Sequence, residues 1–265
     1  MLKKVFAAVL GIALAVGSAA CGEQKSEGPD YADDEAMNII AEGFGKRSAL
    51  IDKLEGEGKD TTESDNLRQV IQAEIDNDRD LKTRPFKNSK MQEDVISYIN
   101  LLNDQLGIVR KYSSTSSAFT TRWQETYDKR SALLKTFVDK YGMKIDAKYQ
   151  DALDELVRNG NSVQEKNKAD QAINGLISSA TFEKTPDEYG GSTYTYSAVI
   201  ENTSGISFGN VSLVLALYDA DGVKAEETYA STSSWAAGEK VRFEAIGSVD
   251  AAQVKASVSN YEVAD

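Results

Sequence analysis

The chain has 265 residues, 41% of them hydrophobic, which is enough to build a packed core in one to two domains. Its formal net charge of −12 argues against an electrostatic hold on phosphate backbones, so nucleic acid is not expected as a partner. With no histidine and a single cysteine, the sequence excludes the common His-dependent nucleophiles, most zinc sites and any internal disulfide.

The first twenty residues have the pattern of a signal peptide. Lys3 and Lys4 precede an uncharged run from residue 5 to residue 17, which is much shorter than the ~20 residues that a membrane-spanning helix needs. A short apolar segment that follows a basic start and ends in small residues is typical of a cleaved signal peptide. We therefore expect residues 1–20 to direct export and to be removed.

Ser18-Ala19-Ala20-Cys21 closes this segment. It resembles the lipobox of bacterial lipoproteins, in which a small residue precedes an invariant cysteine, although Ser18 stands where leucine is usual. The resemblance implies that Cys21 carries a diacylglycerol thioether and becomes the mature N-terminus. The alternative is ordinary secretion with a free thiol at Cys21. The absence of a second cysteine favours lipidation, and two acyl chains suffice for stable anchoring.

Residues 21–32 are mostly polar and predict a flexible tether between the lipid and the fold. From 33 to 178, apolar residues recur at helical spacing in stretches separated by short polar connections. Ser89 with Gln92 predicts a capping box at one helix start, and Gly142 predicts a helix C-terminus. Short connections between amphipathic helices favour antiparallel neighbours, so we expect an up-and-down helical bundle domain.

Two further features concern the end of this domain. Asn159-Gly160 predicts a break between two helices, and Ser162 with Glu165 predicts that the next helix starts there. The aromatic stripe of Phe119, Trp123, Tyr127, Phe137 and Tyr141 is either bundle core or the wall of a ligand groove; helical spacing favours core.

Residues 179–265 change to a period of two and predict a domain of antiparallel strands. Residues 211–217 are apolar on both faces of the predicted strand, so this strand should be central. Asp221-Gly222 predicts a hairpin turn into the next strand. Several short strands without intervening helices favour an Ig-like β-sandwich. The predicted fold class is thus α+β with two domains, 33–178 and 179–265.

The C-terminal region also resembles the FxLYD domain of bacterial surface lipoproteins. Asn202 follows the first long strand, residues 211–217 run directly into Tyr218-Asp219-Ala220-Asp221-Gly222, and Ala237-Gly238-Glu239 leads into a strand that holds Phe243. The family usually has proline where Ala237 stands, and often an aromatic residue where this chain has leucine at 215. The resemblance implies a β-sandwich module on an exported protein, and it implies no catalytic residues.

Acidic motifs in the chain are better explained by local structure than by chemistry. Asp219-x-Asp221-Gly222 resembles the start of a calcium loop, but the twelfth position is Ala230 rather than glutamate, which favours a hairpin. Asp76, Asp78 and Asp80, at spacings of two, cannot share one helix face and are expected on solvated helix surface. We therefore expect no catalytic residue, no metal site and no cofactor.

Trp235 has two alternatives, since it lies in a turn-like stretch between two strands. If it is exposed, it marks a possible contact patch; if it folds back, it fills the end of the sandwich.

Together these features predict a non-enzymatic protein of the cell envelope, lipid-anchored at the cell membrane and facing outside the cytoplasm, with a binding or scaffolding role. The expected partners are the membrane through the lipid anchor, and an envelope protein or the cell wall. One alternative is a solute-binding lipoprotein of a transporter, although such proteins usually alternate strands and helices. The other is an envelope hydrolase, which would need two converging acids of perturbed pKa in a pocket.

Overall fold

The computed structural model describes residues 29–187 and 192–264, and within them five helices precede two antiparallel three-stranded sheets. The α+β class is therefore confirmed. The predicted signal peptide, the lipidation site Cys21 and most of the predicted tether lie outside the described residues. The helices are α1 (Asp33–Gly56), α2 (Ser64–Asp78), α3 (Ser89–Lys111), α4 (Ser117–Tyr141) and α5 (Gln150–Ser178), with 3₁₀ turns at Arg79–Lys82 and Ala147–Tyr149.

The helix ends follow local capping chemistry. Gly142 ends α4 with a φ of 70°, the left-handed conformation that glycine adopts without steric cost, as the sequence predicts. The predicted capping box at Ser89 is wrong by one residue: the side chain of Asn88 accepts the hydrogen bond of the Met91 N–H at 3.0 Å. Asparagine is favoured at this position because its side-chain carbonyl oxygen can accept a hydrogen bond from the N–H of the residue three positions later.

The predicted break at Asn159-Gly160 is wrong, because α5 runs through it without interruption. Gly160 is buried against α4, where an added Cβ would lie 2.3 Å from the backbone oxygen of Ser131. The glycine therefore permits a close approach of two helix backbones rather than a turn. Asn159 supports the same contact, since its Nδ2 donates to Asp128 Oδ1 at 3.1 Å.

The last residue of the predicted tether, Ala32, belongs to the folded bundle. Ala32 is fully buried, and its N–H donates to the Pro85 carbonyl at 2.9 Å. Asp33, the first residue of α1, accepts hydrogen bonds from the N–H groups of Lys87 and Asn88. The start of α1 is thus fastened to the connection between α2 and α3.

The strands are β1 (Glu183–Pro186), β2 (Tyr194–Glu201), β3 (Phe208–Tyr218), β4 (Lys224–Trp235), β5 (Lys240–Gly247) and β6 (Gln253–Val263). They form two sheets with the orders β1-β2-β5 and β4-β3-β6, with every pair antiparallel. Strand β3 lies between β4 and β6, which confirms the prediction that it is central. Strand β1 was not predicted; its proline at 186 and its exposed residues give no apolar alternation.

The buried apolar residues form two cores, and helix α5 contributes to both. Leu153, near its start, belongs to the core of the helical bundle. Ala169, Ile173 and Ile177, near its end, are buried in the core that both sheets share. The domain boundary between residues 178 and 179 therefore stays a prediction. A chain divided at that boundary would lose these three buried side chains from the β core.

Candidate functional site

A cluster of buried charged side chains lies inside the helical bundle, with Glu74 of α2 at its centre. Arg130 of α4 reaches both carboxylate oxygens through Nη2, at 2.9 and 3.1 Å. Arg47 of α1 donates from Nη1 to Oε2 at 2.9 Å, and the Tyr98 hydroxyl of α3 donates to Oε1. Four helices thus meet at one carboxylate, and its oxygens accept four hydrogen bonds.

The charges in this cluster fix the protonation of Glu74. Burial alone would raise the pKa of its carboxyl, but the positive charges of Arg130 and Arg47 and the hydrogen bond from Tyr98 lower the pKa to about 2. Glu74 in turn raises the pKa of Arg130 against the opposite effect of burial. Both groups are therefore ionised throughout the neutral range.

Asp78, one turn after Glu74, is fully buried, so its expected place on solvated surface is wrong. Its Oδ1 accepts from Asn77 Nδ2 at 3.0 Å, while Oδ2 has no hydrogen-bond partner among the described residues. The side chain lies against Gly43 of α1, where an added Cβ would be 2.3 Å from Oδ1. Burial, and then the charge of Glu74, raise the pKa of Asp78 to about 8.

The neighbouring aspartates follow the sequence prediction. Asp76 and Asp80 have side chains that are 55% and 91% exposed, and both are within ion-pair distance of Arg79. Asp78 differs because the chain leaves α2 at this point for a 3₁₀ turn, and Leu81 in that turn is buried.

A cavity of about 440 Å³ lies beside the cluster, at the end of the bundle that holds the α1–α2 and α3–α4 connections. Arg47 is the residue that belongs to both the cluster and the cavity wall, and its side chain is 12% exposed. The remaining wall combines hydroxyl groups from the two connections with apolar and aromatic side chains: Ile51, Thr61, Thr62, Leu67, Val70, Ser114, Phe119 and Trp123.

Part of the predicted aromatic stripe lines this cavity. Phe119 and Trp123 stack with their ring centroids 5.6 Å apart and an interplanar angle of 7°. Phe137 is fully buried in the core, and Tyr141 donates its hydroxyl to Asp94. The stripe is therefore core at its C-terminal end and cavity wall at its N-terminal end.

A larger groove, of about 780 Å³, lies between α5 and β6. Two of its charged residues pair with each other: Asp170 accepts from Lys166 at 2.8 Å, and it also accepts from the Tyr261 hydroxyl.

Trp235 is fully buried, so it does not form an exposed contact patch, and the alternative in which it fills the core matches the structure. Its ring packs against Phe208 and, edge to face, against Phe243. Its Nε1–H donates to the Glu239 carbonyl at 3.2 Å, which satisfies the one polar atom of the ring.

Two of the segments that carry the FxLYD resemblance, Asn202 and the turn at Ala237-Gly238-Glu239, are linked at one end of the β region. Asn202 is fully buried, and its Nδ2 donates to the carbonyls of Ile206 and Trp235 at 2.7 and 3.0 Å. Its backbone N–H and carbonyl pair with Glu239 and Gly238. Asn202 thus joins the β2–β3 connection to the β4–β5 turn.

The Asp219–Gly222 segment forms the turn expected from its sequence. Asp219 Oδ1 accepts from the N–H groups of Asp221 and Val223, and Gly222 has a φ of 78°. Within residues 29–187 and 192–264, no group of three or more His, Cys, Asp or Glu side chains is placed to hold a metal ion. Over the same residues, no helix combines the length and the apolar character needed to cross a bilayer.

No protein-family model matches the chain, and no curated protein matches it. Among solved structures, the chain is similar to the alkylpurine DNA glycosylase AlkC of Pseudomonas fluorescens bound to DNA containing an abasic site analog, at 11% identity and a TM-score of 0.18. The similarity covers 71% of this chain and 57% of the glycosylase chain. A TM-score this low carries no argument, so the lipobox and FxLYD resemblances stay predictions.

The expected set of partners requires correction. The exclusion of nucleic acid is withdrawn: the similar structure is a DNA-bound glycosylase, and its TM-score of 0.18 supports neither DNA binding nor the exclusion of it. No partner of this chain is established, so the expected envelope-protein and cell-wall partners are withdrawn as well.

The cluster was not predicted from the sequence, although a signal was present. Each charged member stands at a position where the apolar stripe of its helix predicts a buried side chain. Arg47 lies between Phe44 and Ile51 in the α1 stripe, and Glu74 follows Ile71 by three residues. Arg130 lies four residues before Leu134. A charged residue on an apolar stripe of each of several helices indicates that the charges meet inside the bundle.

Proposed function

We propose that this chain is a lipid-anchored protein of the bacterial cell envelope, held at the cell membrane and facing away from the cytoplasm, that binds a ligand without catalysing a reaction. The sequence around Cys21 supports the location, through its resemblance to a lipobox. The observation that carries the binding role is the cavity beside Arg47, where an unusual buried charge cluster reaches the surface of the bundle.

A hydrolase based on carboxylates fits the cluster poorly. Glu74 and Asp78 have pKa values of about 2 and about 8, and such divergence is a feature of acid–base pairs in enzymes. Both side chains are fully buried, however, and the oxygens of Glu74 are occupied by two arginines and a tyrosine. Neither carboxylate reaches a position where a substrate or an attacking water would stand.

A solute receptor of a transporter is the less favoured alternative. Such receptors usually alternate strands and helices around a cleft, whereas here the helices precede the strands. For the C-terminal region we propose an Ig-like β-sandwich of the FxLYD kind, and for the helices an up-and-down order. Two three-stranded sheets with a common core, and the Asn202 link between motif residues, support the first proposal.

The anchor is tested by Cys21→Ser, compared with Ser18→Ala as the matched control in the native envelope. Ser18→Ala keeps a small residue before the cut and should stay in the detergent-extracted membrane fraction. Cys21→Ser should move to the soluble fraction, because the thioether acceptor is gone while the export signal remains. Equal membrane partition of both variants would refute the lipid anchor.

A further inference from the structure

The cavity beside Arg47 has one charged end. The Nη1 of Arg47 donates to Glu74 and, at 3.5 Å, to Gln105, while no hydrogen bond among the described residues uses Nε or Nη2. A guanidinium carries five donors in a planar fork that matches a carboxylate. Arg47 therefore keeps a donor edge available to an acceptor in the cavity, whose wall also contains Thr61, Thr62 and Ser114.

The cluster behind this edge carries excess positive charge. Arg47 and Arg130 are both cationic, and the carboxylate of Glu74 is their one ionised partner in the cluster. Asp78 is neutral near pH 7, because burial and the charge of Glu74 raise its pKa to about 8. The cluster therefore has a net charge of about +1, inside a chain whose formal charge is −12. A monoanion in the cavity would balance this charge.

The other side of the cavity is apolar. Phe119 and Trp123, whose rings stack on each other, contribute aromatic surface to it, and the side chains of Ile51, Leu67 and Val70 complete the lining. Aromatic walls favour planar partners through offset stacking, and a volume of about 440 Å³ is in the range of small-molecule sites.

We propose that this cavity binds a small monocarboxylate with a planar apolar body, with the carboxylate on the free edge of Arg47 and the ring against Phe119 and Trp123. This inference rests on the proposed binding role and names the class of ligand. Arg47 acts as the recognition residue, while Glu74, itself bound by Arg130, accepts the hydrogen bond of Arg47 Nη1 and holds its guanidinium in place.

The test compares 3-phenylpropionate with its neutral amide, 3-phenylpropionamide, by calorimetric titration into the full chain near pH 7. The acid should bind at least about tenfold more tightly than the amide, because the amide cannot accept a charge-assisted pair of hydrogen bonds. Equal affinity of acid and amide would overturn the carboxylate assignment while leaving a binding role intact. Failure of both to bind at millimolar concentration would overturn the inference altogether.

Two variants locate the site. Arg47→Lys keeps the positive charge and a donor for Glu74 but loses the planar fork, so affinity for the acid should fall about tenfold. The matched control is Arg79→Lys, which changes an exposed arginine of the 3₁₀ turn after α2 and should leave affinity unchanged. If Arg47→Lys binds the acid as tightly as Arg79→Lys does, the site is elsewhere. The acid–amide comparison in the unmodified chain stands even if Arg47→Lys fails to fold, and the membrane partition of Cys21→Ser reports on the anchor separately.

Discussion

The helical and β regions differ in the kinds of side chain that they bury. Among the described residues, buried charged side chains occur in the helical region, at Glu74, Asp78, Asp94 and Arg130. The β region buries one polar side chain, Asn202, and its core is otherwise apolar and aromatic. Every polar atom of the Asn202 side chain has a partner, whereas Asp78 Oδ2 and Arg130 Nε have none.

This difference indicates where specialised chemistry is concentrated. A buried charge cluster contributes little net stability compared with apolar packing, and its cost rises when a member lacks a partner. The β core meets no such cost, so its stability should depend on packing alone. The comparison therefore predicts a pH-sensitive helical region and a β region whose stability is insensitive to pH near neutrality.

The largest expected effect concerns Asp78. Its folded pKa of about 8 lies above the unfolded value of 3.8, so the folded state holds a proton that the unfolded state releases. The contribution of this group to the free energy of unfolding should then be highest below pH 4. It should fall by about 1.4 kcal/mol per pH unit, roughly 6 kcal/mol in total, up to pH 8. Asp78→Asn cannot titrate and should lose this slope, which urea unfolding measured at several pH values will show.

The Glu74 carboxyl, which lies one turn before Asp78, does not titrate in the same window. Glu74, with its pKa lowered to about 2, contributes stability that is lost only as the pH falls from 4.5 toward 2, and the other neighbours are Lys46, Tyr98 and Arg130. Asp76→Asn on the same helix is the control, because its side chain is 55% exposed. If the free energy of unfolding of Asp78→Asn still falls as the pH rises, a group other than Asp78 binds the proton. The contrast between the two cores would then be lost.

The next effect tests the β core. Leu215 in the central strand is fully buried between both sheets, as the sequence predicts, so Leu215→Ala should cost about 2–5 kcal/mol of stability. Because no charged side chain is buried there among the described residues, this cost should be the same at pH 5 and pH 8. Val199→Ala, on an exposed position of β2, should cost less than about 1 kcal/mol. A pH-dependent cost for Leu215→Ala would contradict an uncharged β core.

Periodicity predicted much of the fold because it depends on residues close in the chain. The apolar residues on both faces of 211–217 were enough to identify a central strand, and Gly142 was enough to end a helix. Side-chain partners that are distant in sequence were not accessible in this way. Glu74 and Arg130 are 56 residues apart, and their pairing depends on how α2 and α4 pack.

Two of the errors in the helical region, at Asp78 and at Gly160, have the same origin. Asp78 looked like solvated surface because its neighbours Asp76 and Asp80 are exposed, yet the packing of α1 through Gly43 covers it. Gly160 looked like a helix break because glycine often is one, yet it lies where α4 and α5 approach each other. In both cases a tertiary contact at a glycine overrode the local preference.

The smallest effect concerns two glycines of α5, the helix that belongs to both cores: one is exposed and the other is packed against α4. Alanine has the higher helix propensity, so Gly175→Ala, at an exposed position with open space around it, should raise stability by about 0.5–1 kcal/mol. Gly160→Ala gains the same propensity but places a Cβ 2.3 Å from the rigid backbone oxygen of Ser131. The two helices must then move apart, which should lower stability by about 1–3 kcal/mol. Thermal unfolding followed by circular dichroism distinguishes the opposite signs. If both substitutions raise the melting temperature, α5 does not pack closely on α4, and its link between the bundle and the β core is weaker than the contacts of Gly160 indicate.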